Sequence, residues 1–270
     1  MADNRIAGLR VSRPKSFQLD KCDPNDKLGW NKESAIAELE QVKVALDALQ
    51  KRLSAEAERS VLLVLQARDA AGKDGTVRSI FSGINPAGVS VTSFKVPAGR
   101  EAVQDYLWRV HEACPPDGEI GVFNRSHYED VLVVRVKGIV AESAWKKRFR
   151  HINEFERMLS DEGTTIIKCF LNVSRDEQAK RFQERLDDPT KRWKFREGDL
   201  ADRKLWSKFQ EAYQDVLTKT STSYAPWYVV PADRNWVRNL AVAKILLKTL
   251  EDLHPEYPEP ELGTEPIKVV

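Results

Sequence analysis

Residues 66–76 read Gln66-Ala67-Arg68-Asp69-Ala70-Ala71-Gly72-Lys73-Asp74-Gly75-Thr76. They follow an apolar run, 61–65, and precede an amphipathic stretch carrying Val77, Ile80 and Phe81. Strand, small-residue loop, Gly-Lys and helix is the order in which loop N–H groups and a helix N-terminus cradle phosphate, with the lysine offsetting its charge. Candidate phosphate contacts are therefore Ala70, Ala71, Gly72, Lys73, Asp74, Gly75 and Thr76. The fit to G-x-x-x-x-G-K-[ST] is imperfect, because Ala67 stands at the first glycine and Asp74 at the magnesium-binding Ser/Thr. The competing reading is a tight left-handed turn at Gly72 with a solvated Lys73.

Asp69 argues for the phosphate reading. A carboxylate in such a loop would repel its ligand, since like charges about 4 Å apart cost about 4 kcal/mol at a surface-like dielectric. A bridging cation reverses the sign. Mg²⁺ takes one or two carboxylates plus phosphate oxygens and water, so Asp69 is read as a metal ligand. A general-base role fits less well, because a phosphate acceptor has little proton to give. A second run, 120–123, ends in Asn124-Arg125-Ser126-His127-Tyr128-Glu129-Asp130. Asn124 occupies the place of a Walker B aspartate, so the metal would rest on Asp69 with Glu129 or Asp130, and Arg125 would aim a fixed positive charge at the phosphates. For the two acids the alternative is an acidic first helical turn favoured by the helix dipole.

Charge is unevenly spread along the chain. Residues 134–150 hold six Lys/Arg against one acid, residues 180–196 hold seven against three, and the stretch from Glu251 onward holds six acids and one lysine. Arg181 and Arg185 are four apart, on one face of a helix that Asp188-Pro189 ends. A helical lid over residues 174–204 that lays two arginines on transferring phosphates would have this pattern. A solvated helix face is the alternative.

These residues need a scaffold. From Asn31, a candidate N-cap, Leu39, Val42, Leu46, Leu49 and Leu53 mark one face of a helix over 31–57. Apolar runs at 61–65, 89–94, 120–123, 165–171 and 227–230 read as buried strands, with room for crossover helices between them. That pattern gives one α/β domain with a mainly parallel sheet and ligands beyond the carboxyl ends of its strands. Residues 1–30 form an N-terminal arm. Residues 254–270 form a Pro/Glu-rich tail, extended on the surface or against another subunit. With 270 residues and a net charge of +2, the chain is not a uniformly basic nucleic-acid or membrane binder. Cys22, Cys114 and Cys169 are odd in number and widely spaced, and no apolar leader is visible, so a cytoplasmic location is expected.

Taken together, ARDAAGKDGT, FKVP, GVFNRSHYEDVLV, DPTKRWKF and APWYVVPADRNWVRNLAV resemble the polyphosphate kinase 2 family, with the NRSHYED string similar to its class III branch. The resemblance spans about Arg13 to Leu253. It implies a three-layer, thymidylate-kinase-like P-loop kinase with a central parallel sheet of about five strands and a helical lid. It also implies Mg²⁺ (or Mn²⁺) dependence and phosphoryl transfer between inorganic polyphosphate and nucleotides, AMP to ADP and ADP to ATP. By position it assigns catalysis to Asp69, Lys73, Arg125 and Arg185, and places Arg181 among the lid arginines. Lys95, Arg78 and Lys194 would extend the phosphate track, and Asp69 with Glu129 would hold the metal. The expected partners are polyphosphate, AMP, ADP and ATP, with neither nucleic acid nor membrane, in a homo-oligomer. An ATP-dependent nucleotide kinase and a non-catalytic polyanion sensor are the alternatives.

Overall fold

A computed structural model describes residues 4–259. Most of the tail, with Pro260 and Pro266, lies outside the described residues. The helices are α1 (Asn4–Ala7), α2 (Lys32–Glu56), α3 (Lys73–Phe81), α4 (Trp108–Glu112), α5 (Val133–Val136), α6 (Glu142–Asp161), α7 (Arg175–Asp187), α8 (Glu197–Lys204), α9 (Trp206–Thr220) and α10 (Asn235–Leu253). The strands are β1 (Ser60–Ala67), β2 (Val89–Ser93), β3 (Ile120–Asn124), β4 (Thr164–Asn172) and β5 (Trp227–Pro231), each containing or closely matching one apolar run.

They form a parallel sheet in the order β2-β3-β1-β4-β5. The expected three layers follow from the strand period of two. Val61, Leu63 and Leu65 of β1 pack with α2, α3 and α10, through Leu46, Ile80 and Leu246. Leu62 and Val64 point the other way, into a core shared with α6 and α9 through Ile152, Phe155 and Val216. β1 is buried along its whole length, which explains the unbroken apolar run 61–65 within it.

Asn31 caps α2, its side chain accepting from the Ser34 N–H at 2.8 Å. The arm before it has a role that its sequence does not announce. Val11 N–H donates to Trp227 O (2.9 Å) and Val229 N–H to Leu9 O (2.8 Å), so the arm covers the free edge of β5. Gln214 of α9 then fastens it by accepting from Leu19 N–H and donating to Phe17 O, both at 2.7 Å.

Register aligns the carboxyl ends that matter. Leu65 of β1 lies between Asn124 of β3 and Cys169 of β4. The loops after β1, β3, β4 and β5 therefore open on one edge, at the point where the strand order reverses on either side of β1. No helix among the described residues is long and apolar enough to cross a membrane.

Candidate active site

The loop between β1 and α3 is held from behind. Ala70 and Gly72 take positive φ values of 62° and 99°, the first in a region that costs a non-glycine residue about 1–2 kcal/mol. Side chains fix that shape by taking its carbonyls. Gln178 Nε2 donates to Asp69 O (3.0 Å), Arg181 Nη1 to Ala70 O (3.0 Å) and Ala71 O (3.1 Å), and Arg238 Nη1 to Ala71 O (2.9 Å). A Cβ on Gly72 would overlap the Arg238 guanidinium and displace it from Ala71 O, so glycine there preserves that contact as well as easing the positive φ. The N–H groups of Gly72, Lys73 and Asp74 have no acceptor among the described residues. They are the unsatisfied donors of a helix N-terminus and suit an anion.

Lys73 is the first residue of α3 and is buried, its Nζ donating to Ala67 O at 3.1 Å. Burial, with Arg125 nearby, pulls its pKa down to about 8. Arg125 itself sits at φ 62°, with its N–H on Leu65 O (3.0 Å), and this turn brings its guanidinium to Asp69. Nη2 of Arg125 donates to Oδ1 of Asp69 at 2.6 Å. Burial works to raise the Asp69 pKa, but Lys73, Arg125 and Arg185 overcome it and hold the carboxyl below its ordinary range. Glu129 faces Arg125, Lys73 and Asp69, yet burial prevails and moves it upward.

Asp69, Lys73, Arg125, Glu129 and Arg185 thus share one electrostatic neighbourhood. Asp69 and Glu129 supply hard oxygen ligands, which suits Mg²⁺ provided substrate phosphates complete the shell. No group of three acidic, His or Cys side chains that could hold a metal alone occurs among the described residues. Asp74 points elsewhere, accepting from Asn124 Nδ2 at 2.6 Å, so the two Walker-type positions are bonded to each other.

The remaining expected contacts divide. Arg185 is loosely held, 3.5 Å from Lys194 O and 3.8 Å from Asp199. Arg181 is not free for phosphate: it bonds Glu177 through Nε, Ala70 O and Ala71 O through Nη1, and Ala232 O and Asp233 O through Nη2. All five N–H groups of a guanidinium are then spent. Thr76 is buried with its hydroxyl donated to Gly72 O, while Gly75 lies in the first turn of α3, near Arg238. Lys95 is exposed on the wall of a cavity of about 980 Å³ that also borders Asp69, Arg125 and Glu129. Arg78 is exposed in the last turn of α3, and Lys194 lies against Trp193.

The basic stretch 134–150 is not a bare track. Arg135 pairs with Asp215, Lys137 with Asp202, Lys146 with Glu142, Arg148 with Asp130 and Arg150 with Glu154. Asp130, Asp202 and Asp215, distant in sequence, and the local Glu142 and Glu154 neutralise it, and Lys147 is left to face the cavity. Gln178 and Asp199 lie outside the quoted motifs; Arg238 lies inside APWYVVPADRNWVRNLAV, but nothing in its spacing ties it to the loop. Behind the Arg125 turn, Lys168 donates to Glu156, Tyr128 and Thr220 O, and Glu156 also meets His127, in a wholly buried network.

The chain is 55% identical over 262 residues to the AMP/ADP-polyphosphate phosphotransferase of Meiothermus ruber, covering 96% of this chain and 98% of that one. It is 45% identical over 226 residues to the ADP-polyphosphate phosphotransferase of Rhodopseudomonas palustris, covering 79% and 78%. The crystal structure of polyphosphate kinase 2 from Arthrobacter aurescens TC1 superposes with a TM-score of 0.93 at 41% identity, covering 97% of this chain and 94% of that one. The polyphosphate kinase 2 family profile matches residues 29–258, and the chain, with its braced phosphate loop and five-stranded parallel sheet, belongs to that family.

Proposed function

We propose that the protein transfers phosphoryl groups from inorganic polyphosphate to nucleoside mono- and diphosphates, converting AMP to ADP and ADP to ATP. The observation that carries this reading is the phosphate loop opening on a large cavity that Asp69, Arg125 and Glu129 line, with Lys73 in electrostatic reach of all three. Donor phosphates rest on the free loop amides and Lys73, and the acceptor occupies the cavity with its phosphate towards Arg125. Asp69 and Glu129 would hold Mg²⁺, which would neutralise charge on the transferring group. Binding of phosphate draws Arg125 from Asp69 to the anion. Arg185, released from its weak contacts on the α7–α8 lid, then offsets charge spread over the transition state. Catalysis on this reading is positioning and electrostatics, with no covalent enzyme intermediate.

The three free cysteines support a reducing, cytoplasmic setting. The deciding experiment supplies Mg²⁺, polyphosphate and AMP or ADP without ATP. ADP and ATP should form. Turnover with ATP as donor and none with polyphosphate would reject the donor assignment.

A further inference from the structure

Four successive residues of the phosphate loop are tied to the α7–α9 segment. Gln178 and Arg181 of α7 hold the carbonyls of Asp69, Ala70 and Ala71. Gln178 in turn accepts from Arg203 of α8 at 3.1 Å. The last tie runs outward from the loop. The Arg68 guanidinium lies 4.1 Å from the centroid of Trp206, the first residue of α9, and 5.3 Å from that of Tyr213. Its Nη2 donates to Oε1 of Gln210, also on α9.

Holding a guanidinium there costs stability. Arg68 is 6% exposed, its Nε and Nη1 are buried with no hydrogen-bond partner, and no carboxylate pairs with it among the described residues. The aromatic faces offset part of the desolvation, and the rest is uncompensated buried charge. Burial lowers its pKa to about 10, so it remains cationic at neutral pH. An apolar side chain would fill the same space at less cost, and although Arg68, Trp206 and Tyr213 border the cavity assigned to the acceptor, Nε and Nη1 of Arg68 are buried away from it and none of the steps proposed above uses this charge.

We infer that Arg68 is a positioning residue for phosphoryl transfer, latching the start of α9 to the residue that adjoins Asp69. Arg181 and Gln178 hold the N-terminal stem of the segment that carries Arg185, and Arg68 holds its C-terminal stem. Both stems are thereby referenced to the phosphate loop, and α9 cannot shift without moving the neighbour of Asp69. The inference rests on the phosphoryl-transfer reading of the site and is indifferent to the donor.

Arg68→Met keeps a long apolar stem and removes the charge, Trp206→Leu removes the ring, and the double variant closes a cycle. Wild-type enzyme is assayed first with polyphosphate and with ATP. Failure with polyphosphate alone counts against the donor assignment, and the variants are then compared on ATP. If neither donor supports turnover, the phosphoryl-transfer reading falls and the latch with it. The expected result is an Arg68→Met variant that melts at or above the wild-type temperature, because an unpaired buried charge has gone. Its kcat falls at least tenfold while the acceptor KM changes less than threefold. Trp206→Leu loses kcat likewise, and the double variant loses no more than the worse single. A melting temperature that falls together with kcat would make Arg68 a packing residue and overturn the inference. So would a folded variant with kcat within threefold of wild type, or multiplicative losses in the double variant.

Discussion

Arg125 directs Nη2 to within 2.6 Å of Oδ1 of Asp69, so the cation proposed to meet phosphate and the anion proposed to meet metal hold each other at the mouth of the loop. Their side chains are 40% and 28% exposed, and a pair so open to water contributes at most about 1 kcal/mol to folding. Its effect therefore lies in the chemistry. Asp69→Asn keeps the size and an acceptor oxygen but removes the charge. We expect kcat to fall by about 10²-fold or more, with unfolding in urea shifted by less than about 1 kcal/mol. Unchanged turnover in this variant would remove Asp69 from the reaction.

The buried lysine of the loop sets an alkaline limit. Burial holds Lys73 at a pKa of about 8 in the free enzyme, so as pH rises through that value it loses the charge that receives phosphate. A bound polyanion favours the protonated lysine and moves its titration upward. The quotient kcat/KM, which reports free enzyme, should therefore fall above about pH 8, while kcat stays level to higher pH. Steady-state profiles between pH 6 and 10 test the separation, and coincident alkaline limbs would speak against it.

Legibility in the sequence followed how local each signal was. β1 stands out because burial along its whole length leaves no polar alternation over 61–65, the edge strand β2 alternates Val-Ser-Val-Thr-Ser and is only partly buried, and Asn31 announces α2 because a side-chain cap acts within three residues. The loop residues Asp69 and Lys73 could be found because strand, loop and helix are contiguous. The β5-edge pairing of Leu9 and Val11 could not, because two backbone hydrogen bonds leave no side-chain pattern. The role of Arg238 was equally hidden although a quoted motif contains it: it reaches Ala71 from a helix 167 positions away in sequence. The pairing of the basic run 134–150 was hidden for the same reason, its partners Asp202 and Asp215 being distant in the chain and near in space.

The network behind the Arg125 turn gives a stability prediction. Lys168 and Glu156 are 0% and 1% exposed and bonded to each other, with Tyr128 and His127 of the post-β3 segment on the same carboxylate. Lys168→Met would strand a buried carboxylate and should cost about 3–5 kcal/mol in equilibrium unfolding. Replacing both, Lys168→Met with Glu156→Leu, should regain much of that loss, because neither charge is then left alone. Equal destabilisation in the single and double variants would show that the cost comes from packing instead.

Arg181 and Arg185 of α7 should separate by function although they are one helical turn apart. Arg181 spends every N–H on the loop carbonyls, on Ala232 and Asp233, and on Glu177, so it shapes the loop and has no donor left for substrate. Arg185 is close enough to Asp69 to lower its pKa, and its own contacts, 3.5 Å to Lys194 O and 3.8 Å to Asp199, are weak enough to exchange for a phosphate. Arg185→Ala should therefore leave the melting temperature near wild type while lowering kcat by about 10³-fold. Arg181→Ala exposes the strained Ala70 turn to collapse, so it should lower the melting temperature and raise the donor KM. Arg181→Lys should not restore either, because an ammonium group cannot bond five acceptors spread around a planar fork. Similar effects of the two alanine substitutions on stability and turnover would dissolve this division of labour.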